Sequence, residues 1–162
     1  MNNDIHGDDL VLGKHQFGRV DHRMKVGPVK WPFHDLFWVH EGVVKMDFPD
    51  IDVHELLEAP AGVLILPGTY FLGQAVGTFA TASICHFTYK PAARSQTISS
   101  QSSSQGYQVA PRNEGLHIQN QLRLAMQLAQ QDDPNAIARR KRLLLSILDG
   151  FGPAKEKQKS IS

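Results

Sequence analysis

The run WPFHDLFWVHEGVVKM at 31–46, followed by APAGVLILPGTYFLG at 59–73 and ASICHFTYK at 82–90, decides the fold. These stretches break into short pieces rich in β-branched and aromatic residues (LFWVH, VVKMDF, VHELLEA, GVLILP, TYFLGQAV, TASICHFTY), each bounded by Gly, Pro or Asp. Closely spaced short strands of this kind argue for a sandwich or barrel. The FPDID segment at 48–52 fits a hairpin connection between VVKM and VHELL. No αβα alternation is present, which argues against a doubly wound sheet.

Outward from this core, residues 1–27 are polar and Gly-bearing, with only Val11, Leu12, Phe17 and Val20 available for burial, and read as an N-terminal arm. The barrel is assigned to 28–92. The Ser/Gln-rich stretch SQTISSQSSSQ at 95–105 has almost nothing to bury, so 93–112 reads as a flexible linker. Beyond it, Ile118, Leu122, Met126 and Ala129 recur on one face of an amphipathic helix. A second helix starts at Asp133-Pro134, an N-cap followed by proline at the first helical position, and stops near Asp149-Gly150. The helical region is thus 113–150, and 151–162 reads as a tail or linker. The broad Leu/Ile surface of the second helix predicts an antiparallel pair with apolar area left over for a homodimer interface.

Length and charge narrow the classes further. The 162 residues suit one domain with an appendage, and a net charge of +1 lacks the basic excess of a nucleic-acid-binding surface. Cys85 is the only cysteine, which excludes an intrachain disulfide and fits a reducing cytoplasm. Neither a signal peptide nor an apolar run of about 18 residues is present, so no membrane association is expected. The basic run Arg139–Arg142 fans around a helix axis and reads as a solvated face, not a phosphate patch.

Among the histidines, His6, His15 and His22 fall in the polar arm and read as solvated. His34 and His40 are six apart, which puts both on one face of an unbroken strand with Leu36 and Trp38. They read first as half-buried strand residues satisfied by neighbours, with His34 also a candidate ligand contact. His86 lies inside an apolar strand, where an imidazole needs a hydrogen-bond partner. Alternation from Asp35 places Trp31, Asp35, Phe37 and Val39 on the inner face, with Phe71 entering from the turn side and His86 from the opposite wall. Aromatic faces stack on sugar C–H surfaces, while a carboxylate and an imidazole bind hydroxyls. The competing reading is that these aromatics simply fill a closed core.

The His40-Glu41-Gly42 triplet and the Leu66-Pro67-Gly68-Thr69 turn resemble the two motif regions of cupin barrels. On that resemblance, the metal-ligand positions of the first motif fall on Val29, Trp31 and Asp35, and the last one of the second motif on Phe71. Only Asp35 could bind a cation, so the barrel reads as metal-free, without a cofactor and without catalytic residues. The order of strand with Glu-Gly, Pro-Gly turn, His86-Phe87 strand, linker and helix pair is similar to the N-terminal effector domains of AraC-type transcriptional regulators, over about 28–150. The fold this implies is mainly β: a cupin-like double-stranded β-helix (jelly-roll) barrel followed by a C-terminal antiparallel helix pair. The function it implies is sensing of a small-molecule effector, sugars among the candidates, with homodimerisation through the C-terminal helices. DNA would be contacted only through a helix-turn-helix domain absent from this chain. The expected ligand contacts are Trp31, His34, Asp35, Phe37, Phe71 and His86. A stand-alone cupin enzyme or small-molecule-binding cupin is the alternative, and a scaffold with a solid barrel a third reading.

Overall fold

In the computed structural model the described residues are 9–21, 25–90 and 106–152. They form a mainly antiparallel β fold, the barrel that the strand pattern predicts, followed by the expected C-terminal helix pair. The strands are β1 (Leu10–Asp21), β2 (Val26–Lys30), β3 (His34–Phe48), β4 (Val53–Glu58), β5 (Ala61–Ile65), β6 (Tyr70–Tyr89) and β7 (Tyr107–Val109). The helices are α1 (Gly115–Leu128) and α2 (Pro134–Phe151).

The architecture rests on β3 and β6, which run side by side from His34↔Phe87 to Asp47↔Leu72. Runs that look separate in sequence, LFWVH with VVKMDF and TYFLGQAV with TASICHFTY, are each one long strand. The register slips at Glu41, between Val39 and Val43, where Gly42 takes φ +84° and a Cβ would come within 3.0 Å of the Phe79 carbonyl oxygen. Such a bulge bends both strands, so their two halves enter different walls of the barrel. The first half of β3 pairs with β5 and the second half with β4; β6 pairs with β2 near Tyr70 and with β1 from Phe79 to Tyr89. The larger wall has the order β1-β6-β3-β5-β7. A 3-10 turn at Pro49–Ile51 makes the expected connection between β3 and β4.

Two apolar cores result, one on each side of the larger wall. Inside the barrel, Phe37, Val39, Val44, Met46, Phe48, Val63, Ile65 and Phe71 pack together. Outside it, Leu10, Leu36, Trp38, Cys85 and Phe87 pack against Ile118, Leu122, Leu144, Ile147 and Phe151 of the helices. Strand alternation sends odd-numbered residues of 35–39 inward and even-numbered ones toward the helices. Gly62, opposite Trp38 on β5, is demanded by this packing: a Cβ there would stand 2.3 Å from the indole.

Asp133 caps α2 as its sequence predicts, its Oδ1 accepting from the Ala136 amide at 2.8 Å with Pro134 at the first turn. The helices run antiparallel, with Gly150 against Ile118 and Gln121 Nε2 donating to Ser146 Oγ at 2.6 Å. The buried stripe of α1 is Gly115, Ile118, Leu122, Ala125 and Leu128, so Met126 turns out beside it.

Several boundaries differ from the sequence reading. Residues 10–21 of the expected arm are β1, paired along β6. The pattern hid this because most of β1 faces solvent, while the ladder that holds it is made by backbone. His15, expected to be solvated, is tucked against Cys85 and Arg140; His6 and His22 lie outside the described residues. Within the expected linker, Tyr107–Val109 is β7, Ala110 is buried, and Gln108 Nε2 donates to the Phe151 carbonyl at 3.0 Å. The Ser/Gln-rich stretch itself lies outside the described residues, as does 153–162 of the tail. Phe151 belongs to α2 and is buried. Much of the apolar surface assigned to a second copy is instead covered by the chain's own sheet. Arg140, in the run read as a solvated face, turns inward with its Nε buried.

Candidate ligand-binding site

One end of the barrel collects the polar side chains of its interior. Asp35 on β3 and His86 on β6 are register partners, both pointing inward, with Nε2 of His86 3.4 Å from Oδ2 of Asp35. The exposure of Asp35 is 1% and that of His86 7%. The separation is within ion-pair range, yet Nε2 makes no hydrogen bond, and Oδ1 of Asp35 has no partner among the described residues. Burial pushes the Asp35 carboxyl up from its usual range, opposed by His86 and by the Cys85 backbone. A buried polar pair left short of partners costs free energy, and a guest with donors and acceptors would recover it.

Aromatic rings surround this pair. Phe33 lies 4.3 Å from the His86 ring by centroids and Trp31 5.5 Å, while Trp31 and Phe33 stack on each other at 5.3 Å. Trp31 and Phe33 are half-buried, and Trp31 packs against the barrel core. The Trp31 carbonyl accepts from the Gly68 amide at 2.8 Å, which fixes the ring's approach from the Leu66–Thr69 turn.

Of the residues expected from sequence, Trp31, Asp35 and His86 therefore come together. His86 sits on the strand beside Asp35, not on the opposite wall, because β3 and β6 are neighbours in the sheet. Phe37 lies one inward position deeper and is part of the apolar core. Phe71 enters from the facing wall at the same end, where its strand partner Val29 precedes Trp31 by two residues. His34 does not join them. It faces the helix side, stacked on Phe87 at 4.8 Å and edge-on to Tyr89 at 5.2 Å, since its even position turns it away from Asp35. Phe33 was missed, although the i, i+2 spacing of Trp31, Phe33 and Asp35 carried the signal.

Other buried titratable groups lie on the helix side of the wall. His40, on the helix side with Trp38, shares a hydrogen bond between Nε2 and Ser83 Oγ at 2.9 Å. Burial, then the Arg123 charge, lowers its pKa to about 4. Burial pushes the Cys85 thiol up to about 12, which keeps it protonated and unreactive. Among the described residues, no three His, Cys, Asp or Glu side chains gather where they could hold a metal ion, and no helix is long and apolar enough to cross a membrane.

No protein-family model matches the chain, and no curated protein matches it in sequence. Its fold is similar to that of ToxT from Vibrio cholerae, a regulator of the AraC family. An apo variant of ToxT from strain SCE256 is 12% identical, with 85% of this chain and 54% of that chain covered and a TM-score of 0.52. Wild-type ToxT from the same strain with an unsaturated fatty acid bound is 10% identical, with coverage of 86% and 52% and a TM-score of 0.52. ToxT from strain O395 is 9% identical, with coverage of 89% and 57% and a TM-score of 0.50. The chain thus spans little more than half the length of these ToxT chains, and the likeness is one of fold.

Proposed function

We propose that this chain is the effector-binding domain of an AraC-type transcriptional regulator, taking a small molecule at one end of a metal-free barrel without transforming it. The observation that carries the reading is the Asp35–His86 pair, buried, underbonded and flanked by the Trp31 and Phe33 rings. The fold shared with ToxT, whose structure holds an unsaturated fatty acid, supports an effector role.

The chemistry of the pair selects against a carboxylate guest, because a second acid beside Asp35 would add an uncompensated charge in a desolvated place. A ligand with hydroxyl or amine donors and a flat apolar face, such as a sugar, suits Asp35, His86 and the rings better. In the same proposal the protein acts in the cytoplasm as a homodimer, and DNA is contacted by a helix-turn-helix segment outside this chain.

A thermal-shift screen of sugars, polyols, amines and carboxylates against the wild type and Asp35→Asn tests the reading. At least one hydroxylated or amine compound should raise the melting temperature saturably in the wild type and lose most of that effect in the variant. No stabilisation by any compound, or stabilisation that the variant keeps in full, would contradict it.

A further inference from the structure

A second depression lies on the other side of the larger wall, beyond Trp38, where the sheet and α1 diverge. It is a groove of about 420 Å³ lined by Phe17, His40, Arg123, Met126, Gln127 and Gln130. That volume falls in the range of small-molecule sites, roughly 300–1,000 Å³. Phe17 comes from β1, His40 from β3 and the rest from α1 or the turn after it, so an occupant would touch three elements.

Its walls combine an apolar surface with one charge. Phe17 is 53% exposed and packs edge-on to the His40 ring at 5.0 Å, and Met126 lies off the buried stripe of its helix. Arg123 is the only charged residue of the lining, and it forms no ion pair among the described residues. His40 is 8% exposed; its Nε2 is engaged by Ser83 and its Nδ1 has no partner. When the Ser83 hydroxyl donates to Nε2, Nδ1–H becomes a donor beside Arg123. A carboxylate accepts from both. The carbonyl end of α1 lies at the same place and opposes negative charge, so a carboxylate there depends on Arg123 and His40 to outweigh it.

We infer that this groove is a second binding site, separate from the barrel end, for a small monocarboxylate with an apolar body: the carboxylate on Arg123 and His40, the body across Phe17 and Met126. The two sites have opposite charge preference, since Asp35 rejects the acid that Arg123 attracts.

Decanoate, kept below its micellar concentration, with decanol as the neutral comparison, tests the inference by calorimetry and by histidine-selective NMR. Decanoate should bind the wild type at least tenfold more tightly than decanol and move the His40 resonances while leaving those of His86 in place. Arg123→Gln should weaken decanoate at least tenfold and leave decanol unchanged, and Asp35→Asn should leave both unchanged. Met126→Glu, which adds a like charge to the groove, should also abolish decanoate binding and stands in should Arg123→Gln fail to fold. Equal affinity for acid and alcohol, decanoate affinity indifferent to these groove substitutions, or a response at His86 in place of His40 would overturn it.

Discussion

Within six consecutive residues of β3, the molecule shows two solutions to burying a strand. On the helix side, Leu36, Trp38 and His40 lie under α1; the indole Nε1 donates to Gln119 Oε1 at 3.0 Å and His40 is engaged by Ser83. On the barrel side, Phe37 and Val39 are equally dry, but Asp35 is buried beside His86 with an unpartnered oxygen. The outer face is a joint that holds the helix pair to the barrel. The inner face ends in a polar pair that its own fold does not satisfy. Burial alone does not distinguish these roles, since Nδ1 of His40 also lacks a partner. The difference lies in what surrounds the polar atoms: a single imidazole held by Ser83 on one face, and a carboxyl–imidazole pair among the Trp31 and Phe33 rings on the other.

The largest expected effect breaks the outer face. Trp38→Ala removes a fully buried indole and should lower stability by about 3–5 kcal/mol in urea unfolding. A loss below about 1 kcal/mol would show that the helices are not part of the same cooperative core.

Acid should sharpen the contrast next. His40 and His15 have folded pKa values of about 4, below the usual 6.5, so the unfolded chain takes up protons first as pH falls. Their contribution is fully present above about pH 6.5 and is lost as pH drops toward 4. For His40 it amounts to as much as about 3 kcal/mol. Equilibrium unfolding of His40→Phe between pH 7 and pH 4 should show a flatter slope than the wild type.

Asp35 carries the opposite sign. Its folded pKa is raised above the usual 3.8, so it costs nothing below 3.8, penalises the folded state increasingly as pH rises from there to the folded value, and costs its full amount above that. Asp35→Asn should therefore stabilise the unliganded protein at neutral pH, a gain that disappears in acid. Destabilisation by this substitution at pH 7 would mean that the pair is structural and not a site held ready for a guest. The smallest effect is expected away from both faces: Asp133→Ala should cost about 1 kcal/mol through the lost α2 cap, with the barrel unaffected.

The strand alternation of 35–39, the Pro49 turn and the Asp133-Pro134 helix start were legible because each is set by neighbours in sequence. What escaped reading depends on partners far along the chain. β1 is a solvent-facing edge whose Gly13, Lys14, Gln16 and Gly18 give no hydrophobic rhythm; it exists because β6 offers a ladder. The pairing of Asp35 with His86 needs the register of strands fifty residues apart, which no local pattern contains. His34 was misplaced for a different reason: its parity with His40 was recognised, yet the same parity excludes it from the face of Asp35. Arg140 could be placed only once α2 was docked over His15.

Trp31 is one of only two tryptophans, the other being Trp38, so Trp38→Phe leaves a single tryptophan, at the barrel end. Titrating that variant with the strongest stabiliser from the thermal-shift screen, while calorimetry follows binding in parallel, tests the central claim most directly. The account predicts a saturable change in Trp31 emission that tracks the calorimetric isotherm with one molecule per chain. Binding seen by calorimetry with Trp31 emission unchanged would place the guest elsewhere and contradict it.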